Sequence, residues 1–256
     1  MVPPALSHRR STHRSAAVFV LLVTLLLGAC TDPGATGRAS RPDSYGSGRG
    51  ASESVGGGVG HQLDGPLHGR TGAHLFVADA ASRVDLRVAR LPGLLYRITT
   101  PVRSGLAPRV TGAAGRIRLG LRPTGDDGPD AVTIVLNQAV RWDIRLPKGA
   151  GEQHLDLRRG HLTRLAIGAT GLIDLRLPEP TGTVPITLTD SAGTVEIVLP
   201  HATPARVRLR AGADSVATPW RASAAPGGVL VAPGWAGAVD RYSIDAWGGV
   251  GALRVG

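Results

Sequence analysis

The stretch RWDIRLPKGAGEQHLDLRRGHLTRLAIGATGLIDLRLP, residues 141–178, decides how this chain folds. Aliphatic and polar residues alternate in Trp142-Asp-Ile-Arg-Leu146, Leu155-Asp-Leu157, Leu165-Ala-Ile167 and Ile173-Asp-Leu-Arg-Leu177. That period of two belongs to strands with one buried face. Pro147, Gly160, Gly168, Gly171 and Pro178 stand in the gaps, where such residues mark turns. The same pattern continues upstream, in Val84-Asp-Leu-Arg-Val88, Ile117-Arg-Leu-Gly-Leu121 and Val132-Thr-Ile-Val-Leu136. Downstream it recurs in Ile186-Thr-Leu188, Val195-Glu-Ile-Val-Leu199 and Val207-Arg-Leu209. Trp142 keeps register with Ile144 and Leu146, which places it in the core.

With Ile144, Asp156, Leu165, Leu175, Thr187, Ile197 and Arg208 as strand centres, successive strands lie 9 to 12 residues apart and alternate ones close to 21. Strand ends repeat as well: Arg145-Leu146-Pro147, Arg176-Leu177-Pro178 and Val198-Leu199-Pro200. A unit of this size with one apolar face cannot bury itself alone, so stacked coils are its natural solution. The expectation is an all-β fold, a single-stranded β-solenoid-like stack of short strands. An antiparallel β-sandwich has the same turn spacing and stays open as the alternative.

Composition agrees with strands. The 256 residues include 36 Gly and 19 Pro, and the aromatics are 4 Trp, 3 Tyr and 2 Phe, which disfavours long helices. The lone cysteine excludes an intramolecular disulfide and any cysteine-cluster metal site.

That cysteine closes the most informative segment outside the strands. A polar, basic start is followed by Ala16–Leu27, apolar apart from Thr24, and then by Gly28-Ala29-Cys30. The run is shorter than the roughly 20 residues of a membrane span and reads as a secretory signal, residues 1–29. Leu27-Gly28-Ala29-Cys30 resembles the lipobox of bacterial lipoproteins. The resemblance implies that Leu27, Gly28 and Ala29 are read by the signal peptidase, and that the Cys30 thiol takes a diacylglyceryl group and acyl chains such as palmitate. Two chains anchor a protein stably, so the expected location is the outer face of the cytoplasmic membrane, with the membrane as a partner through the anchor.

Residues 30–72 are rich in Gly, Ser and charge and poor in core-forming residues, the composition of a disordered tether with a mean reach of about 35 Å. His61, His68 and His74 near its end are irregularly spaced and read as solvated histidines. Residues 73–256 form the folded domain.

Net charge is +10. Without Arg9, Arg10 and Arg14 of the signal, 26 basic residues face 19 acidic ones, an excess of +7. All basic residues but Lys148 are arginine, which reads first as codon bias. Arg158, Arg159 and Arg164 gather near one turn, and Arg206, Arg208 and Arg210 alternate along one strand. These are the candidate contacts for an anionic wall polymer or lipid headgroup, although a solvated outer face explains the same residues. The bases are scattered along the chain without an arginine-and-aromatic groove, so no nucleic-acid partner is expected.

Nothing recommends catalysis. The folded region holds no Gly-x-Ser-x-Gly, and its carboxylates are spread singly on outward strand positions. His154 and Asp156 point outward with His161 beyond the next turn, but no further ligand is placed, so no metal is expected. Asp126, Asp127 and Asp130 read as a solvated hairpin tip, and no cofactor is implied. Trp220 and Trp235, in proline-containing loops, either plug an open end of the core or offer a surface for a sugar.

The text of 155–178, with Gly182-Thr-Val-Pro-Ile186, Ala205-Arg-Val-Arg-Leu209, Asp240-Arg-Tyr-Ser-Ile244 and Gly248-Gly-Val-Gly251, resembles actinobacterial members of the "putative-adhesin" or toast-rack family of cell-envelope domains. The resemblance covers roughly residues 73–256, matches less clearly over 105–130, and implies stacked strands with no catalytic residues. The expected function is a non-enzymatic envelope module for interaction or scaffolding, with envelope proteins as partners. A binder of anionic wall polymer or glycan is the alternative, and an envelope hydrolase is the third reading.

Overall fold

The computed structural model describes residues 59–201, 203–220 and 223–256. Leu27, Gly28, Ala29 and Cys30 lie outside the described residues. The described chain is all-β. In order it forms β1 (Val59–Pro66), β2 (Gly72–Val77), β3 (Ala81–Ala89), β4 (Leu94–Pro101), β5 (Leu106–Thr111) and β6 (Arg116–Pro123). Then follow β7 (Ala131–Asn137), β8 (Arg141–Leu146), β9 (Ala150–Asp156), β10 (His161–Ile167), β11 (Thr170–Arg176) and β12 (Thr183–Leu188). The last six are β13 (Ala192–Val198), β14 (Ala205–Leu209), β15 (Ala213–Ala217), β16 (Gly228–Val231), β17 (Arg241–Ala246) and β18 (Val250–Val255).

These strands make two nine-stranded sheets. Sheet A runs β1-β4-β7-β3-β9-β11-β13-β18-β15, and sheet B runs β16-β14-β17-β12-β10-β8-β2-β6-β5. The repeating unit is a rung, one strand of sheet B followed through a tight corner by one of sheet A. Ile144 pairs with Leu165 and Leu165 with Ile186, both in parallel, so each rung is offset from the next by 21 residues. Parallel rungs at this spacing decide for the solenoid and against an antiparallel sandwich.

The rungs do not follow one another in single file. Only β8–β9, β10–β11 and β12–β13 stack in chain order; β2–β3 lies between β6–β7 and β8–β9, and β17–β18 lies between β12–β13 and β14–β15. Antiparallel strands cap three of the four sheet edges, and the parallel β15 forms the fourth. β4 and β5 pair antiparallel with β7 and β6, β1 covers β4, and β16 covers β14. This antiparallel turn is what blurs the repeat over 105–130. Strand β1 also corrects the start of the domain: part of the stretch read as tether pairs with β4, Leu63 opposite Ile98.

The core lies between the sheets as continuous ladders. Leu75, Ile144, Leu165, Ile186 and Ile244 form one in sheet B; Leu86, Leu155, Leu175 and Ile197 form one in sheet A, and all are essentially fully buried. Trp142 is buried and its Nε1 donates to the Asn137 carbonyl at 2.9 Å. The buried Tyr242 ties β17 to the end of β11, its hydroxyl donating to the Pro178 carbonyl at 2.7 Å, and burial pushes its phenol pKa up.

A glycine stands second in four of the parallel strands of sheet A, at Gly151, Gly171, Gly193 and Gly251. A Cβ on Gly171 would lie 2.8 Å from the Gly151 carbonyl oxygen, and one on Gly251 would lie 2.7 Å from that of Gly193. At these four positions the rungs approach so closely that a Cβ would crowd the neighbouring backbone, whereas Ser82 and Asp214 hold the same position in β3 and β15.

Candidate functional site

Each strand turns one set of residues inward, so the alternate residues of each sheet form a broad outer face. The two faces differ in charge. The strands of sheet B carry ten arginines and two carboxylates, Asp143 and Asp245, a formal balance of +8. Those of sheet A carry five arginines and seven carboxylates, a balance of −2. The basic excess, scattered in the sequence, is therefore gathered on one face by the fold.

On sheet A three of the five arginines, Arg83, Arg97 and Arg176, are paired with carboxylates. Parallel register puts Asp85, His154, Asp174 and Glu196 in one row across four rungs. Arg83 meets Asp85 at 2.9 Å and Glu152 at 3.8 Å, Arg97 meets Asp64 at 2.9 Å, and Arg176 meets Asp174 at 3.4 Å. His154 lies 3.5 Å from Glu152 and 3.9 Å from Asp174. Asp85, His154 and Asp174 of this row line a shallow depression of about 240 Å³ together with Arg87, Asp156 and Arg176. Its carboxylates stand side by side on an open surface rather than facing across a cleft, which is not an arrangement for paired acid and base work. His161 is on sheet B, so it does not converge with His154 and Asp156. Among the described residues no three histidine, cysteine or carboxylate side chains are grouped to hold a metal.

On sheet B most of the cationic charge is uncompensated. Among the described residues, Arg145 is the one arginine of its strands with a carboxylate within 4.0 Å, Asp143 at 2.9 Å. Asp143 also receives His74 at 3.4 Å. Burial pushes the Asp143 pKa up, but Arg145, Arg164 and His74 together hold it below the usual carboxylate range. Arg206 shows the opposite situation: burial, and then its neighbour Arg208, push its pKa down. A second depression, of about 370 Å³, lies on this face, lined by His74, Phe76, Arg116, Arg118 and Arg145. The Arg118 guanidinium stacks over Phe76 at 4.9 Å from the ring centre.

The arginines singled out from the sequence divide between these surfaces. Arg164, Arg206 and Arg208 stand on sheet B. Arg158, in the corner after β9, is tied to Asp156 at 2.7 Å, and Arg159 follows it in the same corner. Arg210 lies just beyond β14, 3.4 Å from Asp245 and stacked over the exposed Trp247. Sequence reading missed Arg116, Arg118, Arg141 and Arg145, whose signal was present as alternation on strands that only the three-dimensional stack makes neighbours. Trp220 is partly buried and packs against the core. Trp235 sits over sheet B, its indole N–H donating to the Tyr242 carbonyl, with Arg206 and Arg241 at 4.1 and 4.3 Å from the ring.

No protein-family model and no curated protein matches the chain. Among solved structures it is similar to a "putative cell adhesion protein" from Clostridium sporogenes, with a TM-score of 0.58 at 15% identity, covering 76% of this chain and 96% of that one. At that identity the likeness speaks for the fold alone. A "putative adhesin" from Bacteroides fragilis aligns with a TM-score of 0.23 at 8% identity, covering 76% and 95% of the two chains, and carries no argument.

Proposed function

We propose that this protein is a lipid-anchored, extracytoplasmic module of the cell envelope whose solenoid engages or scaffolds other envelope components without catalysis. The observation that carries the reading is the position of the only cysteine, Cys30, directly after the apolar run Ala16–Leu27 and Gly28-Ala29. Acylation there would hold the solenoid at the outer face of the cytoplasmic membrane on a Gly/Ser-rich spacer. The two broad outer faces, one strongly basic and one with most of its arginines paired, support an interaction role over an enzymatic one. The arginines of sheet B favour a second reading, binding of an anionic wall polymer or glycan.

The test is replacement of Cys30. Cys30→Ala is expected to move the protein out of the membrane fraction, and the wild-type protein is expected to carry acyl mass at its mature N-terminus. Unchanged fractionation of the variant together with an unmodified wild-type cysteine would refute the anchor.

A further inference from the structure

We propose that the outer face of sheet B docks a linear polyanion along the stack, with the depression between β8, β2 and β6 as its principal anion seat. This deepens the envelope-module reading and rests on it for location only.

Charge placement is the first argument. Sheet A is built of the same rungs from the same arginine-rich chain, yet carries a balance of −2 against +8. Composition therefore does not explain the basic face. Like charges crowded on one sheet oppose folding, and an external anion relieves that repulsion.

Spacing is the second. Arg206 stands beside Ser243, and Ser243 beside Pro185. The pairing of Leu165 with Ile186 brings Arg164 beside Pro185, and the row continues through Asp143 and His74 to Arg116. Arginine thus recurs every third strand, at intervals of about 14 Å for strands about 4.8 Å apart. A row along the stack axis suits an extended chain bearing charged oxygens.

The depression is the third argument. Its volume of about 370 Å³ falls in the range of small-ligand sites, roughly 300–1,000 Å³. Arg116 and Arg118 border it beside the Asp143-paired Arg145, and the Phe76 ring orients the Arg118 fork. Guanidinium groups bind phosphate and carboxylate oxygens in bidentate fashion.

Two other occupants are disfavoured. A membrane-docking face needs apolar residues to insert across it, whereas the exposed large apolar residues on or next to the strands of sheet B are Val229, Val231 and Trp247 toward the β16 end, with Val102 in the β4–β5 connection at the other. Nucleic-acid bases need open aromatic platforms, but Phe76 and Trp235 are already covered by arginines.

The test uses the full chain in neutral detergent, with inorganic polyphosphate and polyglutamate as separate probes. Binding to at least one is expected, and the stronger identifies phosphate or carboxylate as the recognised group. Affinity should fall at least tenfold between about 50 and 200 mM salt. Replacing Arg116, Arg118 and Arg164 with Gln should weaken binding about tenfold or more and reduce the salt slope by about 2 to 3. Replacing Arg87, Arg176 and Arg254 of sheet A with Gln removes the same charge and should leave affinity unchanged. If the first triple variant fails to fold by circular dichroism, the single Arg164→Glu decides in its place, with a several-fold loss expected. Binding to neither probe, equal losses in the two triple variants, or tighter binding to phosphatidylglycerol nanodiscs or an oligothymidylate would overturn the proposal. Neither probe depends on the acyl group, so this outcome and that of Cys30→Ala are read independently.

Discussion

Gln153 occupies a core position that its neighbours fill with Val84, Ile173 and Val195. It is fully buried, and neither its amide nitrogen nor its oxygen has a hydrogen-bond partner. An unsatisfied buried amide costs on the order of 1–3 kcal/mol. Gln153→Leu is therefore expected to stabilise the fold, raising Tm by about 2–4 °C per kcal/mol recovered, and calorimetry showing a lower Tm would refute the assignment. Asp143 gives a second prediction at this scale. Its folded pKa is depressed, so its contribution is present above the ordinary carboxylate value and is lost as pH falls through the folded value. Asp143→Asn should make the acid limb of stability shallower below about pH 4, measured as the urea midpoint against pH. Alternation alone places Gln153 inside, since Leu155 and Leu157 share its parity, but its lack of partners is visible only when the opposing sheet is in place.

The rungs obey a simple periodicity in their middle and depart from it at both ends. Residues 141–199 were legible because each rung there pairs with the next in chain order, so spacing along the chain equals spacing in the stack. β2–β3 and β17–β18 carry the same alternation but are inserted inside later or earlier rungs, which no linear spacing reveals. β1 was illegible because GHQLDG offers only Leu63 as an aliphatic residue; it holds its place through backbone pairing and the Asp64–Arg97 contact at 2.9 Å. An ordinary repeat array tolerates loss of its last unit because that unit touches one neighbour. Here, removal of residues 241–256 takes away an interior rung and leaves β14–β15 without its parallel partners. Such a truncation should destroy cooperative unfolding in urea and expose residues 205–217 to protease; loss of only the deleted segment's own signal would contradict the observed strand order.

For the molecule as a whole, the division of charge is the property least accessible from the chain. Arg116 and Arg164 are 48 residues apart in sequence, yet share a row separated only by the Asp143 and His74 strands. Counting charges yields the sum, and only the stack assigns the signs to faces. The inserted rung has a further consequence, which concerns time. β17–β18 follows every other strand along the chain, yet belongs between two rungs made before it. The stack therefore cannot be completed by adding each new rung to a growing end. β14–β15 must wait without its permanent neighbour until the last strands arrive, and closing contacts between distant segments slows folding. Seen this way, the rung acts as a latch on synthesis: the domain reaches its final form only after residues 241–256 are available, and a chain interrupted before them exposes an unfilled slot rather than a shorter solenoid.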